Sequence, residues 1–259
     1  MSALQQLEIS VWPLQNNSII KNQKVTFRQY GKEIGTAPVV LINHALHSDS
    51  DCMYHWDGII GEGKAIDLDF FTVLAFDIPG NKNENINHYK NKNVVARDVA
   101  VLFWLALFEL NVEQLFAVIG ANIGGGLAWE MATLFPKRIQ NILPIVSSPV
   151  IKDWVVENPF SINNWLTDLF NTIDISHNRK KLEEVVQSIQ SNIHIIQVSD
   201  ENYYDIEKLK NFHQKLKLIK QNITFYQLDT ISNNQLIVEN EQIDVVVDKI
   251  FQKELIKVA

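Results

Sequence analysis

Cysteine is almost missing from this chain: Cys52 stands alone, so no internal disulfide can staple the fold. Basic residues are outnumbered, 23 Lys and Arg against 30 Asp and Glu, for a formal net charge of -7. The one basic cluster, Arg179-Lys180-Lys181, reads as a solvated helix start, so neither a nucleic-acid nor an anionic-membrane surface is expected. Long apolar runs are missing too. The longest, Val99 to Phe108, is well short of the roughly 20 residues that span a bilayer, and no transmembrane segment is expected. Met1-Ser2-Ala3-Leu4-Gln5-Gln6 has neither the basic start nor the apolar core of a signal peptide, which makes the cytoplasm the expected location.

What is present is apolar content of 46% over 259 residues, enough to bury one large core, so residues 1–259 are read as a single domain. Leu4 to Trp12 and Ser18 to Tyr30 read as two strands of an opening antiparallel hairpin, split by a turn at Pro13 to Asn17. Val39 to Ile42, Phe71 to Phe76, Leu115 to Ile119 and Ile139 to Val146 are short continuous apolar runs. Such runs suit strands buried on both faces of a mainly parallel sheet. A helix is predicted over Val94 to Leu110, and Asn81 to Asn93 is read as a loop. After a helical stretch without strand character, Ile193 to Val198 and Ile223 to Leu228 resume the sheet, with helices over Tyr203 to Ile219 and Ile243 to Ile256. This alternation implies a doubly wound α/β sheet with right-handed crossovers.

The most informative stretch is Leu115 to Trp129. Its strand stops at Gly120, and after G-A-N-I-G-G the composition turns helical at Leu127-Ala128-Trp129. The glycine spacing is that of G-x-S-x-G, the nucleophile elbow of α/β-hydrolases, where small neighbours let the backbone bend hard and lift one side chain above the sheet. That raised position is Asn122. A carboxamide cannot be activated by a neighbouring base as a Ser or Cys can.

Around this elbow the chain resembles the homoserine O-acetyltransferase family of α/β-hydrolase acyltransferases. Asn43-His44-Ala45-Leu46-His47-Ser48 is similar to that family's H-A-L-T-G-S loop. Trp56-Asp57-Gly58-Ile59-Ile60-Gly61-Glu62-Gly63-Lys64-Ala65 is similar to its W-W-D-G-L-I-G-P-G-K-A string. The likeness extends through Arg97-Asp98, Phe135-Pro136 and Leu143-Pro144-Ile145-Val146-Ser147-Ser148, covering most of residues 39 to 166. It implies an α/β-hydrolase fold, a mostly parallel doubly wound sheet with a short helical lid inserted at residues 147–192. It also implies an oxyanion hole from the backbone N–H groups of Leu46 and Ile123, in a pocket that includes His44, Gly120 and Gly124. By the same resemblance the triad acid maps to Asp200 or Glu201 and the histidine to Asn234, within Asn233-Asn234-Gln235-Leu236. No histidine follows His213. Asn does not titrate, so nucleophile and base are both replaced.

His44, His47, Asp49, Asp51 and His55 are close in sequence, but loop spacing fixes no common face, so His44 is taken as a structural histidine and no metal is assigned. Ser147 and Ser148 sit at a strand end with no identifiable base. Along the helix at Val94 to Leu110, Val101, Trp104 and Phe108 form an apolar stripe beyond the sheet-facing Val95, Val99, Leu102, Ala106 and Leu110. Either the chain's own terminal segments cover this stripe, or Trp104 anchors a subunit interface.

The expected function is therefore a catalytically degenerate relative of homoserine O-acetyltransferase kept for binding or protein association, with a homo-oligomer or partner protein as possible company. Two alternatives stand beside it. One is an active acyltransferase or esterase with an unrecognised catalytic set, which would use acetyl-coenzyme A as a co-substrate. The other is a small-molecule sensor in the old pocket. No cofactor is expected.

Overall fold

A computed structural model describes residues 2–81, 85–151, 165–177, 181–198, 205–228 and 241–258. The elements run β1 (Gln5–Pro13), β2 (Ile19–Gly31), β3 (Val39–Asn43), α1 (Cys52–His55), β4 (Ile60–Gly61), β5 (Ile66–Asp67), β6 (Thr72–Phe76), α2 (Ile86–Asn91), α3 (Ala96–Glu109), β7 (Leu115–Ala121), α4 (Ile123–Leu134) and β8 (Ile139–Ile145). The chain continues through α5 (Trp165–Phe170), α6 (Leu182–Ser188), β9 (Asn192–Val198), α7 (Ile206–Ile219), β10 (Ile223–Leu228) and α8 (Glu241–Val258).

One sheet has the order β1-β2-β6-β3-β7-β8-β9-β10, with β4 and β5 forming a small separate pair. The first two strands are an antiparallel hairpin whose turn is closed by Leu14 N–H to the Ser18 carbonyl at 2.9 Å. Asn17 supplies the left-handed residue there, at φ 65°. From β6 to β10 every pairing is parallel. The runs β3, β6 and β7 are buried at every position, as continuous apolar sequence between two helical layers requires.

After β3 the chain adds β6 on one side and returns to add β7 on the other, so the order reverses at β3. Asn43 pairs with Gly120 at the carboxyl ends of those two strands. In open α/β sheets such a switch point leaves a crevice where ligands bind. No helix among the described residues is long and apolar enough to cross a membrane.

The structure departs from the sequence expectations at α2 and α3. The segment read as a loop over Asn81 to Asn93 contains α2. Polar composition hid its one anchor, Tyr89, which is buried between Trp12 and Trp165 with ring centroids 6.3 and 5.8 Å away. The stripe on α3 is the second departure. Trp104 is only 1% exposed, its indole N–H donating to the Met131 carbonyl at 3.1 Å and its ring meeting Phe135 at 5.0 Å. Helix α4 and its exit thus cover Trp104, while Trp12 of β1 covers the start of α3 through a hydrogen bond to the Asp98 carbonyl at 2.8 Å. Val101 and Phe108 are left half-buried at the rim. A buried indole offers no surface to a partner.

Candidate functional site

The strand-to-helix turn after β7 places Asn122 at φ 50° and ψ -114°, a sparsely populated conformation that costs about 1–3 kcal/mol for a residue with a side chain. Its own N–H donates to the Ile145 carbonyl at 3.1 Å, and its carbonyl accepts the first helical bond, from Gly126 at 3.1 Å. Neighbouring strand and helix together hold the bend. The glycines around it are set by close approach. A Cβ on Gly120 would lie 2.6 Å from the Gly124 carbonyl oxygen and 2.8 Å from that of Asn43. On Gly124 it would collide with the carbonyl oxygens of Asn43 and His44, so α4 rests directly on the end of β3.

That contact brings the His44-Ala45-Leu46 turn against the first turn of α4. The amide hydrogens of Leu46 and Ile123 meet no acceptor among the described residues. Ser48 Oγ takes the neighbouring Ala45 N–H at 2.8 Å, which shapes the loop without using the Leu46 donor. At the positive end of a 12-residue helix, two open backbone donors suit an anionic or carbonyl oxygen. The carboxamide of Asn122 likewise has no hydrogen-bond partner among the described residues.

His44 serves the scaffold. The Ile78 N–H donates to its Nε2 at 3.0 Å, which forces that nitrogen to accept and puts the proton on Nδ1, facing the Ala45 carbonyl at 2.8 Å. Burial holds its pKa below the ordinary imidazole value, so the ring is neutral. The other residues of the loop cluster have separate work. Asp51 accepts from Tyr30 at 3.1 Å, Asp49 accepts from the Asp51 N–H at 2.7 Å, and the ring of His55 meets that of Tyr54. Asp77, unremarked in the sequence, accepts from Ser50 N–H, Ser50 Oγ and Thr26 Oγ1 and ties this loop to β2. Cys52 is buried beneath it, with its thiol pushed up to about 12 by desolvation, and is no nucleophile.

Asp200, Glu201 and Asn234 lie outside the described residues. Ser148 Oγ donates to the Val150 carbonyl at 3.2 Å, and no histidine hydrogen-bonds to Ser147 or Ser148 among the described residues.

Part of the insertion between β8 and β9 is clamped beside the elbow. Trp165 N–H donates to the Pro79 carbonyl at 2.6 Å, Ala96 N–H donates to Thr172 Oγ1 at 2.8 Å, and Ile151 N–H donates to the Ile173 carbonyl at 3.1 Å. Ile173 presses onto Gly126, where a Cβ would collide with it. Beyond it, His177 Nε2 lies 3.0 Å from Arg97 Nη1 and 3.3 Å from Glu130 Oε2. Arg97 is conspicuous in the sequence but the cluster is not, because its members come from α3, α4 and the turn at His177.

No protein-family profile matches the chain. It is 26% identical over 154 residues to a homoserine O-acetyltransferase from Corynebacterium glutamicum, covering 54% of this chain and 41% of that protein. One from Trichormus variabilis is 28% identical over 156 residues, covering 55% and 44%. The matched segment thus spans less than half the length of these relatives. The crystal structure of homoserine O-acetyltransferase from Bacillus anthracis superposes with a TM-score of 0.73 at 15% identity, covering 97% of each chain.

Proposed function

We propose that this homoserine O-acetyltransferase-like α/β-hydrolase holds a carboxylate or acyl carbonyl at its elbow without transferring it. The observation that carries the reading is Asn122 at the strained tip, where acyl transfer through a covalent intermediate requires a nucleophile. The donors of Leu46 and Ile123 belong to the backbone and do not depend on which side chain occupies the tip, so a binding notch outlasts the loss of the nucleophile. The lack of any histidine after His213 in the sequence supports the same reading. His44 is consumed by Ile78, and His213 is buried on α7 with its ring stacked on Phe225. With Trp104 buried, association through α3 has lost its anchor, which leaves small-molecule binding as the better supported role.

Pure protein incubated with acetyl-coenzyme A and homoserine, and separately with a short p-nitrophenyl ester, is expected to show no turnover above a buffer control. Loss of one triad role already costs several powers of ten. Asn122→Ser alone is expected to stay inactive. Turnover that survives both Asn122→Ala and further purification would overturn the reading. Butyrate is expected to shift the amide resonances of Leu46 and Ile123 while leaving those of α7 in place.

A further inference from the structure

Beside the elbow, two buried side chains have hydrogen-bonding capacity that nothing described meets. Ser147 is 1% exposed and points at the first turn of α4, where a Cβ on Gly125 would lie 2.6 Å from Ser147 Cβ and 3.2 Å from its Oγ. That hydroxyl has no hydrogen-bond partner among the described residues. Gln197, 2% exposed near the end of β9, gives its amide nitrogen to the Ser147 carbonyl at 3.2 Å. A carbonyl can only accept, so this bond fixes the orientation of the carboxamide and leaves Gln197 Oε1 as an acceptor without a donor among the described residues.

The backbone that delivers Ser147 is itself strained. Val146 sits at φ 45°, an outlier for a β-branched residue, and is held there by its N–H bond to the Ile196 carbonyl at 2.8 Å. Asn122, the strained residue of the adjoining strand end, is tied to Ile145 immediately before it. Two strained turns on neighbouring strands, with two orphaned polar atoms against them, are costly to keep. Strain of this kind concentrates at functional sites, and a buried unmet polar group calls for an occupant.

We propose that Ser147 and Gln197 form a specificity subsite for a hydroxyl group on the ligand held at the Leu46–Ile123 notch. Gln197 Oε1 accepts the ligand's O–H, and the Ser147 hydroxyl completes the pairing as donor or acceptor. An ammonium fits less well, because neither side chain hydrogen-bonds to a carboxylate among the described residues and a buried cation needs one. The ligand class is a short hydroxylated carboxylic acid or its ester. This inference rests on the reading of the elbow as a binding notch.

Calorimetric titration of the wild type with two probe pairs, glycolate against acetate and 3-hydroxybutyrate against butyrate, tests both ideas separately. The hydroxylated member of at least one pair is expected to bind on the order of tenfold tighter, the worth of one net hydrogen bond at an enclosed site. Gln197→Met and Ser147→Ala are expected to remove that preference and leave the affinity for the plain acid unchanged. Equal binding within both pairs overturns the subsite and spares the notch. Failure of all four to bind overturns both. The wild-type comparison decides even where a variant does not fold.

Discussion

Glu130 of α4, with no exposed surface, accepts a hydrogen bond from Arg97 of α3 at 3.0 Å, and His177 of the insertion lies against both. Arg97 Nη1 also donates to Thr133 Oγ1 at 2.9 Å, while Glu130 Oε1 has no hydrogen-bond partner among the described residues. Removing the guanidinium strands a buried carboxylate. Arg97→Met is therefore expected to lower stability by about 3 kcal/mol or more in urea denaturation, and the double change with Glu130→Leu to recover most of that loss. A single variant that loses under about 1 kcal/mol would mean the pair is spectator chemistry.

Two glycines two residues apart on α4 are expected to respond very differently to the same methyl group. Ala in place of Gly gains about 1 kcal/mol of helix propensity at either position. At Gly126 the obstacle is the buried side chain of Ile173, which has to shift and loosens the insertion. At Gly124 it is the backbone carbonyls of Asn43 and His44, which cannot shift. Gly124→Ala should cost about 3 kcal/mol, whereas Gly126→Ala, opposed only by a side chain, should cost on the order of 1 kcal/mol. Equal thermal shifts for the two variants would contradict this contact geometry.

Acid should weaken the fold through His213. Burial, with the Lys217 ammonium adding to it, pushes this imidazole down to about 4, against 6.5 for the free group. The folded pKa is depressed, so the unfolded chain takes up the proton first. Stability is complete above about pH 6.5 and is lost as pH falls toward 4, by roughly 3 kcal/mol at 1.36 kcal/mol per unit. The buried His44 shifts in the same direction. His213→Phe, which keeps the stacking on Phe225, should flatten the loss between pH 6.5 and 4.5 in urea titrations. A variant as acid-sensitive as the wild type would relieve His213 of that role.

Trp104 now predicts a folding defect. Trp104→Ala should cost about 3–5 kcal/mol through lost packing on Met131, Phe108 and Phe135. Sedimentation of the folded fraction should match the wild type. A variant with wild-type thermal stability and an altered sedimentation coefficient would return Trp104 to an interface.

What could be read from the chain alone was whatever rests on neighbours in sequence. The apolar runs that became β3, β6 and β7, the helix at α3, and the glycine spacing that bends the backbone at Asn122 are all local, because a strand's burial and a turn's sterics depend on a few consecutive residues. Asn122 at the raised position of that turn is equally legible from the sequence. Tertiary structure decided what depends on residues brought together from afar. His44 and Ile78 are 34 positions apart, Arg97 and His177 are 80, and Gln197 lies 50 beyond Ser147. The cover over Trp104 comes from α4, and the anchoring of α2 comes from Trp12 and Trp165. Periodicity marks a face as apolar but not what will lie upon it, since that is settled by chain closure across the whole domain.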